Sequence, residues 1–276
     1  MHLSGLKKLL RKNKIFVAVR FSPTFISMWL FFRPAVKSKI KLQNDYYAYF
    51  LKFLKPGRHI AFDIGANEGF VTEGLLENGL SVVAVEPDTR NVLILKRRFS
   101  NNSLCKLYPA AAGANNGELD LYLQNDGTAF STFSLKWKKL IENGNYRFHS
   151  GYADKPVKVQ ATTLDQLISE NGLPSLIKID VEGYEAVVLQ GLSAKIPLLL
   201  FEANLPQFIE ETFACIAQLY RVDENVLFNY SASFTMCLKT FVTYTDFCIL
   251  LPGITAPNID IICVMPVYFD YYDKLP

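Results

Sequence analysis

Carboxylates stand at several points of this sequence where they could do chemistry. The segment LIKIDVEGYEAVVLQGL, residues 176–192, closes an apolar run on Asp180 and follows it with Glu182 and Glu185 around Gly183. Removing a carboxylate from water beside a strand is costly. Three of them together could hold a metal, move a proton, or cap and solvate a helix start. The pattern recurs. IAFD, VVAVE, LIKID and LLLFE are apolar runs that each end on an acid, namely Asp63, Glu86, Asp180 and Glu202. Parallel strands bring their C-terminal ends to one rim, and open α/β sheets bind ligands there. A helix dipole accounts for an acid at any one of these ends. Four out of four imply a polar or cationic ligand.

The first two acids are related by spacing. Asp63 opens D-I-G-A-N-E-G, in which Gly65 and Gly69 let the chain turn tightly and a ligand approach. Glu86 lies 23 positions later, at the end of the next apolar run, where an acid accepts ribose hydroxyls. The glycine pattern is not G-x-G-x-x-G, because Asn67 occupies the place of the glycine that admits a pyrophosphate. A cofactor without phosphates and with a cationic centre fits better, and S-adenosylmethionine is such a molecule. The alternative, an NAD-dependent oxidoreductase on a Rossmann domain, is disfavoured by the same spacing.

These acids need elements to hold them. After a helix in NDYYAYFLKFLKPG, closed by Pro56 and Gly57, strands and helices alternate. RHIAFDIG, LSVVAVEPD, LCKLYPAAAG, SLIKID and IPLLLFE read as strands. EGFVTEGLLENG, TRNVLILKRRF, GYEAVVLQGL and QFIEETFACIAQL have helical spacing. GELDLYL alternates like a further strand, and VKVQATTLDQLI leads into a helix with capping-box spacing at Thr163 and Gln166. VLFNY, KTFVTYTDFCILL and IDIICVMP read as strands at the end of the chain. Residues 125–156 show no clear periodicity. The expected fold is α/β, a doubly wound and mostly parallel sheet with an antiparallel edge.

Taken in order, FDIGANEGFVT, VVAVEPD, TTLDQL, LIKIDVEGYEAVVLQGL and LLLFE resemble the FkbM-type S-adenosylmethionine-dependent methyltransferases, over roughly residues 58–205. The resemblance implies a class I methyltransferase (Rossmann-like) fold with S-adenosyl-L-methionine as cofactor. It also implies methylation of a hydroxyl on a sugar, glycan, polyketide or related small molecule, often in surface-polysaccharide biosynthesis. By position, Asp63, Gly65, Ala66, Asn67 and Gly69 would form the loop under the methionine end. Glu86 would take the ribose, with Pro87 and Asp88 shaping the adenine side. Ala111 and Ala112 would lie near the adenine, where Ala114 departs from the polar residue often found shortly after. Asp180 would sit beside the transferred methyl. A non-catalytic module of methyltransferase-like fold is a further reading, disfavoured by the intact Asp63, Gly65 and Glu86.

Methyl transfer to a hydroxyl needs alignment and loss of a proton. Asp180 is the first candidate, Glu182 the second and His149 the third, since histidine suits a base near neutral pH. Thr128, Ser131 and Thr132 are candidate hydroxyl contacts to the acceptor. Trp137, Tyr146, Phe148 and Tyr152 suit either a sugar ring or a small satellite core. No metal is assigned. Asp180, Glu182 and Glu202 would be the oxygen ligands of a magnesium ion if there were one, and Glu185 reads as a helix-start acid.

The bulk properties set limits. The 276 residues are half hydrophobic and one-fifth charged, enough for one large domain with a full core. Residues 1–44 hold ten Lys or Arg and no acid, which leaves 19 basic against 26 acidic residues in the remainder. An acidic body is a poor fit for nucleic acid. The five cysteines form no CxxC pair, consistent with reduced, mostly buried thiols and a cytoplasmic setting. The division expected is a basic N-terminal helical extension, 1–55, and a methyltransferase domain, 56–276. In the extension, the apolar stretch 15–32 is broken by Arg20 and Pro23 and lacks a small-residue cleavage site. It suits peripheral membrane contact or a lid on the core better than a membrane span or a signal peptide.

Overall fold

The computed structural model describes residues 32, 34–52, 54, 58–125, 129–144 and 151–268. The expectations for the basic head up to residue 31, for Thr128, and for Tyr146, Phe148 and His149 lie outside the described residues.

A helix, α1 (Pro34–Leu51), precedes the sheet. Proline at its first position has no N–H to orphan and a φ already suited to the helix. Then follow β1 (Ile60–Ile64), α2 (Phe70–Glu77), β2 (Ser81–Val85), α3 (Thr89–Arg98) and β3 (Cys105–Tyr108). The chain continues through β4 (Ala111–Ala112), β5 (Gly117–Leu121), α4 (Leu135–Glu142), β6 (Val157–Thr162), α5 (Leu164–Asn171), β7 (Leu176–Ile179) and α6 (Glu185–Gln190). It ends with β8 (Leu198–Asn204), α7 (Ile209–Val222), β9 (Leu227–Ala232), β10 (Thr235–Met236), α8 (Tyr244–Leu250) and β11 (Asn258–Val264). Among the described residues no helix is long and apolar enough to cross a membrane.

The main sheet runs β10-β9-β11-β8-β7-β1-β2-β3. The neighbours from β3 to β8 are parallel, and β11 is antiparallel to both β8 and β9. The order reverses at β1, so the crevice at a topological switch point opens over the C-terminal ends of β1, β2 and β7. Period-2 alternation assigns the faces. Phe62, Ile177, Leu199 and Ile261 pack with Leu167, Val188, Leu189 and Ile216 from α5, α6 and α7. Ala61, Leu176, Leu198 and Ile262 pack on the other face under Tyr46, Tyr47 and Phe50 of α1 and Leu75 of α2. A second, three-stranded sheet has the order β4-β6-β5 and lies beyond β3 in sequence.

Three expectations change. Residues 104–113 are not one strand. Pro109, without a ladder donor, separates β3 in the main sheet from β4 in the small one. Residues 239–251 are mainly helix rather than strand. Thr243 accepts the Asp246 amide as an N-cap, and Phe247 and Leu251 are buried at helical spacing, which outweighs the strand propensity of the aromatic and β-branched residues. The aperiodic stretch 125–156 contains α4, capped by the Ser134 side chain, which buries Trp137 and Ile141 four residues apart. All five cysteines are free; Cys215 and Cys263 are buried and Cys237 is exposed.

Candidate active site

The turn from β1 to α2 makes the floor of a cavity of about 210 Å³. Gly65 has φ +86°, and a Cβ there would lie 1.9 Å from the Asp180 carbonyl oxygen. A side chain would therefore push β1 and β7 apart. Asn67 takes φ +48°, left-handed backbone that asparagine tolerates better than most residues. Its amide donates to Glu86 Oε2 at 2.8 Å, while the Asp88 amide donates to Oε1 at 2.7 Å. Burial still dominates and pushes the Glu86 carboxyl up to about 7. The end of β2 thus presents an acid held by two backbone amides at the cavity wall.

Gly65, Ala66, Asn67, Glu86, Pro87, Ala111, Ala112, Asp180 and Glu182 all line this cavity. Three other expected contacts support it from behind. Asp63 is buried and accepts a bond from Thr72 Oγ1 at 2.5 Å, tying β1 to α2. Burial raises its carboxyl to about 6. Gly69 packs on Leu95 and Phe99. Asp88 caps α3 and pairs with Arg90, whose guanidinium also donates to the Gln124 carbonyl and to Ser131. Ser131 reaches the cavity, but Thr132 is buried and donates to the Glu182 carbonyl at 2.8 Å. Trp137 and Tyr152 form a satellite core with Ile141 and Phe208, not an aromatic platform.

The turn after β7 presents the acids. Glu182 and Gly183 both have positive φ, 54° and 85°. A Cβ on Gly183 would lie 2.7 Å from Phe208. Glu185 is buried and accepts the Val181 amide at 3.0 Å and the Gly183 amide at 3.3 Å. It therefore closes the turn that aims Asp180 and Glu182, a more specific role than a helix-start acid. Asp180, Glu182 and Glu202 each offer an oxygen within 4.8 Å of the others. At that separation two ionised carboxylates repel by roughly 3–4 kcal/mol at an effective dielectric near 20. Such a trio favours holding one proton, or one hard cation, in common. Burial raises Glu182 well above the usual carboxylate range, and Glu202, Asp180 and Glu185 raise it further. Glu202 accepts from Asn204 Nδ2 at 3.0 Å and Asn258 Nδ2 at 2.6 Å.

A buried cation that the sequence did not single out serves these acids. Lys178 Nζ lies 2.8 Å from Asp260 Oδ1 and 3.8 Å from Asp180 Oδ2. Strand register explains the gathering. Asp63 is level with Lys178, Glu202 with Asp260, and Asp260 with Ser231, all on the face that α1 covers. Tyr46 closes the row with a 2.9 Å bond between its hydroxyl and Ser231 Oγ.

The cavity suits the donor that the sequence motifs imply. Glu86 keeps acceptor capacity for hydroxyls, the alanines of β4 make an apolar wall, and glycine backbone lines the floor. No curated protein matches the chain. Among solved structures, the fold is similar to precorrin-6y C5,15-methyltransferase from Geobacter metallireducens (10% identity, 78% of this chain and 84% of that one, TM-score 0.39). It is similar to a TehB-like SAM-dependent methyltransferase from Corynebacterium glutamicum (10%, 79% and 86%, TM-score 0.38). It is also similar to the plantazolicin methyltransferase BpumL in complex with SAH (7%, 95% and 96%, TM-score 0.40). The family model for the methyltransferase FkbM domain matches residues 63–222, more than half of the chain, and spans β1 through α7 with Glu86, Asp180, Glu182 and Glu202 inside it. The chain belongs to the FkbM methyltransferase family, and its cofactor is S-adenosylmethionine.

Proposed function

We propose that the protein methylates a hydroxyl on a sugar, glycan or related small molecule. One observation carries this reading: among the described residues, every ionisable side chain lining the cavity is an acid, Glu68, Glu86, Asp180 and Glu182. A neutral hydroxyl becomes nucleophilic as its proton leaves, and a carboxylate at the mouth can take that proton. The bound donor supplies an electrophilic methyl group on a sulfonium. Glu86 holds the ribose, the turn from Gly65 to Asn67 carries the methionine end, and Ala111 and Ala112 pack on the adenine.

Asp180 is the base that faces the acceptor, and Glu182 shares its proton with Glu202 behind it. Lys178 offsets the charge of Asp180 and fixes its direction. The same face disfavours acceptors that carry phosphate or carboxylate next to the reacting hydroxyl, since these would be placed among like charges. The ten basic residues among the first 44 suit a partner or a membrane surface.

The test is a transfer screen with methyl-labelled S-adenosylmethionine over monosaccharide glycosides, nucleotide sugars and simple amines. Label on an oxygen of a glycoside supports the reading. Label on amines alone reassigns the enzyme to nitrogen.

A further inference from the structure

The matched family domain begins at residue 63, yet one wall of the cavity comes from before it. Gln43, on α1, lines the cavity together with Gly65, Phe70, Val71 and Asp180. How it reaches there follows from the docking of α1. Tyr46, Tyr47 and Phe50 bury one stripe of the helix on the sheet. Asn44, on the adjoining face, fills the space left by Gly74 of α2 and donates to Glu77 Oε2 at 2.7 Å. Asn78 Nδ2 in turn donates to the Asn44 carbonyl at 3.4 Å. These contacts fix both the rotation and the height of α1.

Gln43 is placed by the turn of helix that follows it. Tyr47 follows one turn along the same face and is 1% exposed. The Tyr47 phenol has Lys178, Asp260 and Asp63 as its charged neighbours. Those three belong to β7, β11 and β1, so Gln43 stands over the β1–β7 side of the crevice. Glu86, Pro87 and Ala110 to Ala112 mark the opposite, β2–β4 side. A primary amide has two N–H donors and a carbonyl acceptor. Both kinds of group suit a ligand that carries a carboxylate and an ammonium together.

We infer that Gln43 is a cofactor-binding residue that holds the amino-acid end of S-adenosylmethionine, so that the helix preceding the family domain completes the donor site. The inference rests on the cavity being the donor site. It explains why α1 is docked by specific polar contacts rather than by its apolar stripe alone.

Titration calorimetry with two probes tests it. S-adenosylhomocysteine carries the amino-acid end; 5′-methylthioadenosine keeps the nucleoside and lacks it. Gln43→Leu should weaken S-adenosylhomocysteine about ten- to a hundredfold, as loss of a bond to a charged group does. It should leave methylthioadenosine within about twofold of the parent protein. Gln43→Glu, nearly the same size and harmless to the fold, should weaken S-adenosylhomocysteine at least as much by facing its carboxylate. Unchanged affinity for both probes in both variants overturns the inference, and so does an equal loss for both, which marks a structural role. If the unaltered chain binds methylthioadenosine but not S-adenosylhomocysteine, the donor assignment itself fails and takes the inference with it.

Discussion

Lys178, which is buried, and Asp260, which is mostly buried, form an ion pair, 2.8 Å from Nζ to Oδ1, between strands that have β8 lying between them. The pair joins the parallel part of the sheet to its antiparallel edge, directly beneath Tyr46 and Tyr47. Removing one partner of a buried pair leaves the other charge uncompensated, at about 3–5 kcal/mol, whereas removing both is often close to neutral. Lys178→Met should therefore lose about 3 kcal/mol or more in urea unfolding. Lys178→Met combined with Asp260→Leu should recover more than half of that. A double variant as unstable as the sum of the singles would show that the two residues are not coupled.

Gly65 has no room for a side chain. Gly65→Ala combines a positive φ with a Cβ 1.9 Å from the carbonyl oxygen of Asp180, just after β7. Strain and overpacking of this kind cost about 1–3 kcal/mol each. The variant should melt several degrees lower and lose cofactor affinity, because the floor of the cavity must move. A melting temperature and cofactor affinity equal to those of the parent would mean that the turn is looser than this geometry requires.

Stability should fall as pH rises through neutrality in the cofactor-free protein. Burial holds the Asp63 carboxyl at about 6, and Glu86 and Glu185 at about 7. In the unfolded chain these groups titrate near 4. Between those values the folded state binds more protons than the unfolded one, so the slope of stability against pH is negative. Their contribution is complete below about pH 4 and gone above about pH 7. Melting temperatures measured from pH 5 to 8 should decline, and Glu185→Gln should flatten the decline. A flat or rising profile would contradict the burial assigned to these acids.

Much of this arrangement is legible in the sequence because it is written locally. An apolar run closing on an acid gives both a strand and its rim, so Glu86, Asp180 and Glu202 can be placed on one edge. Glycine and asparagine at 65–69 mark the turn. What is illegible depends on register and docking. Lys178 is a single charge inside an apolar strand, and its partner is 82 positions away on a strand running the other way. Gln43 becomes a cavity residue only when α1 is seated on α2. The carboxylate of Glu185 faces backward into the preceding turn, which spacing does not reveal. Helix α4 is hard to read because its burial rests on only Trp137 and Ile141 in a polar stretch, although Ser134 ahead of Trp137 is a capping signal.

Glu86→Gln separates shape from charge at the proposed ribose site. Glutamine keeps one acceptor for the Asn67 or Asp88 amide but weakens bonding to a diol. Affinity for S-adenosylmethionine should fall by about 1.5–3 kcal/mol per charge-assisted bond lost. Calorimetry showing unchanged affinity would remove Glu86 from the ribose.

The most direct test of the proposed chemistry compares the parent protein with Asp180→Asn, using methyl-labelled donor and the best glycoside from the screen. The account predicts S-adenosylhomocysteine affinity within about threefold of the parent and a loss of methyl transfer of about 10²–10⁴, the usual share of a general base. Near-normal transfer by Asp180→Asn, with the label on the same oxygen, would contradict it.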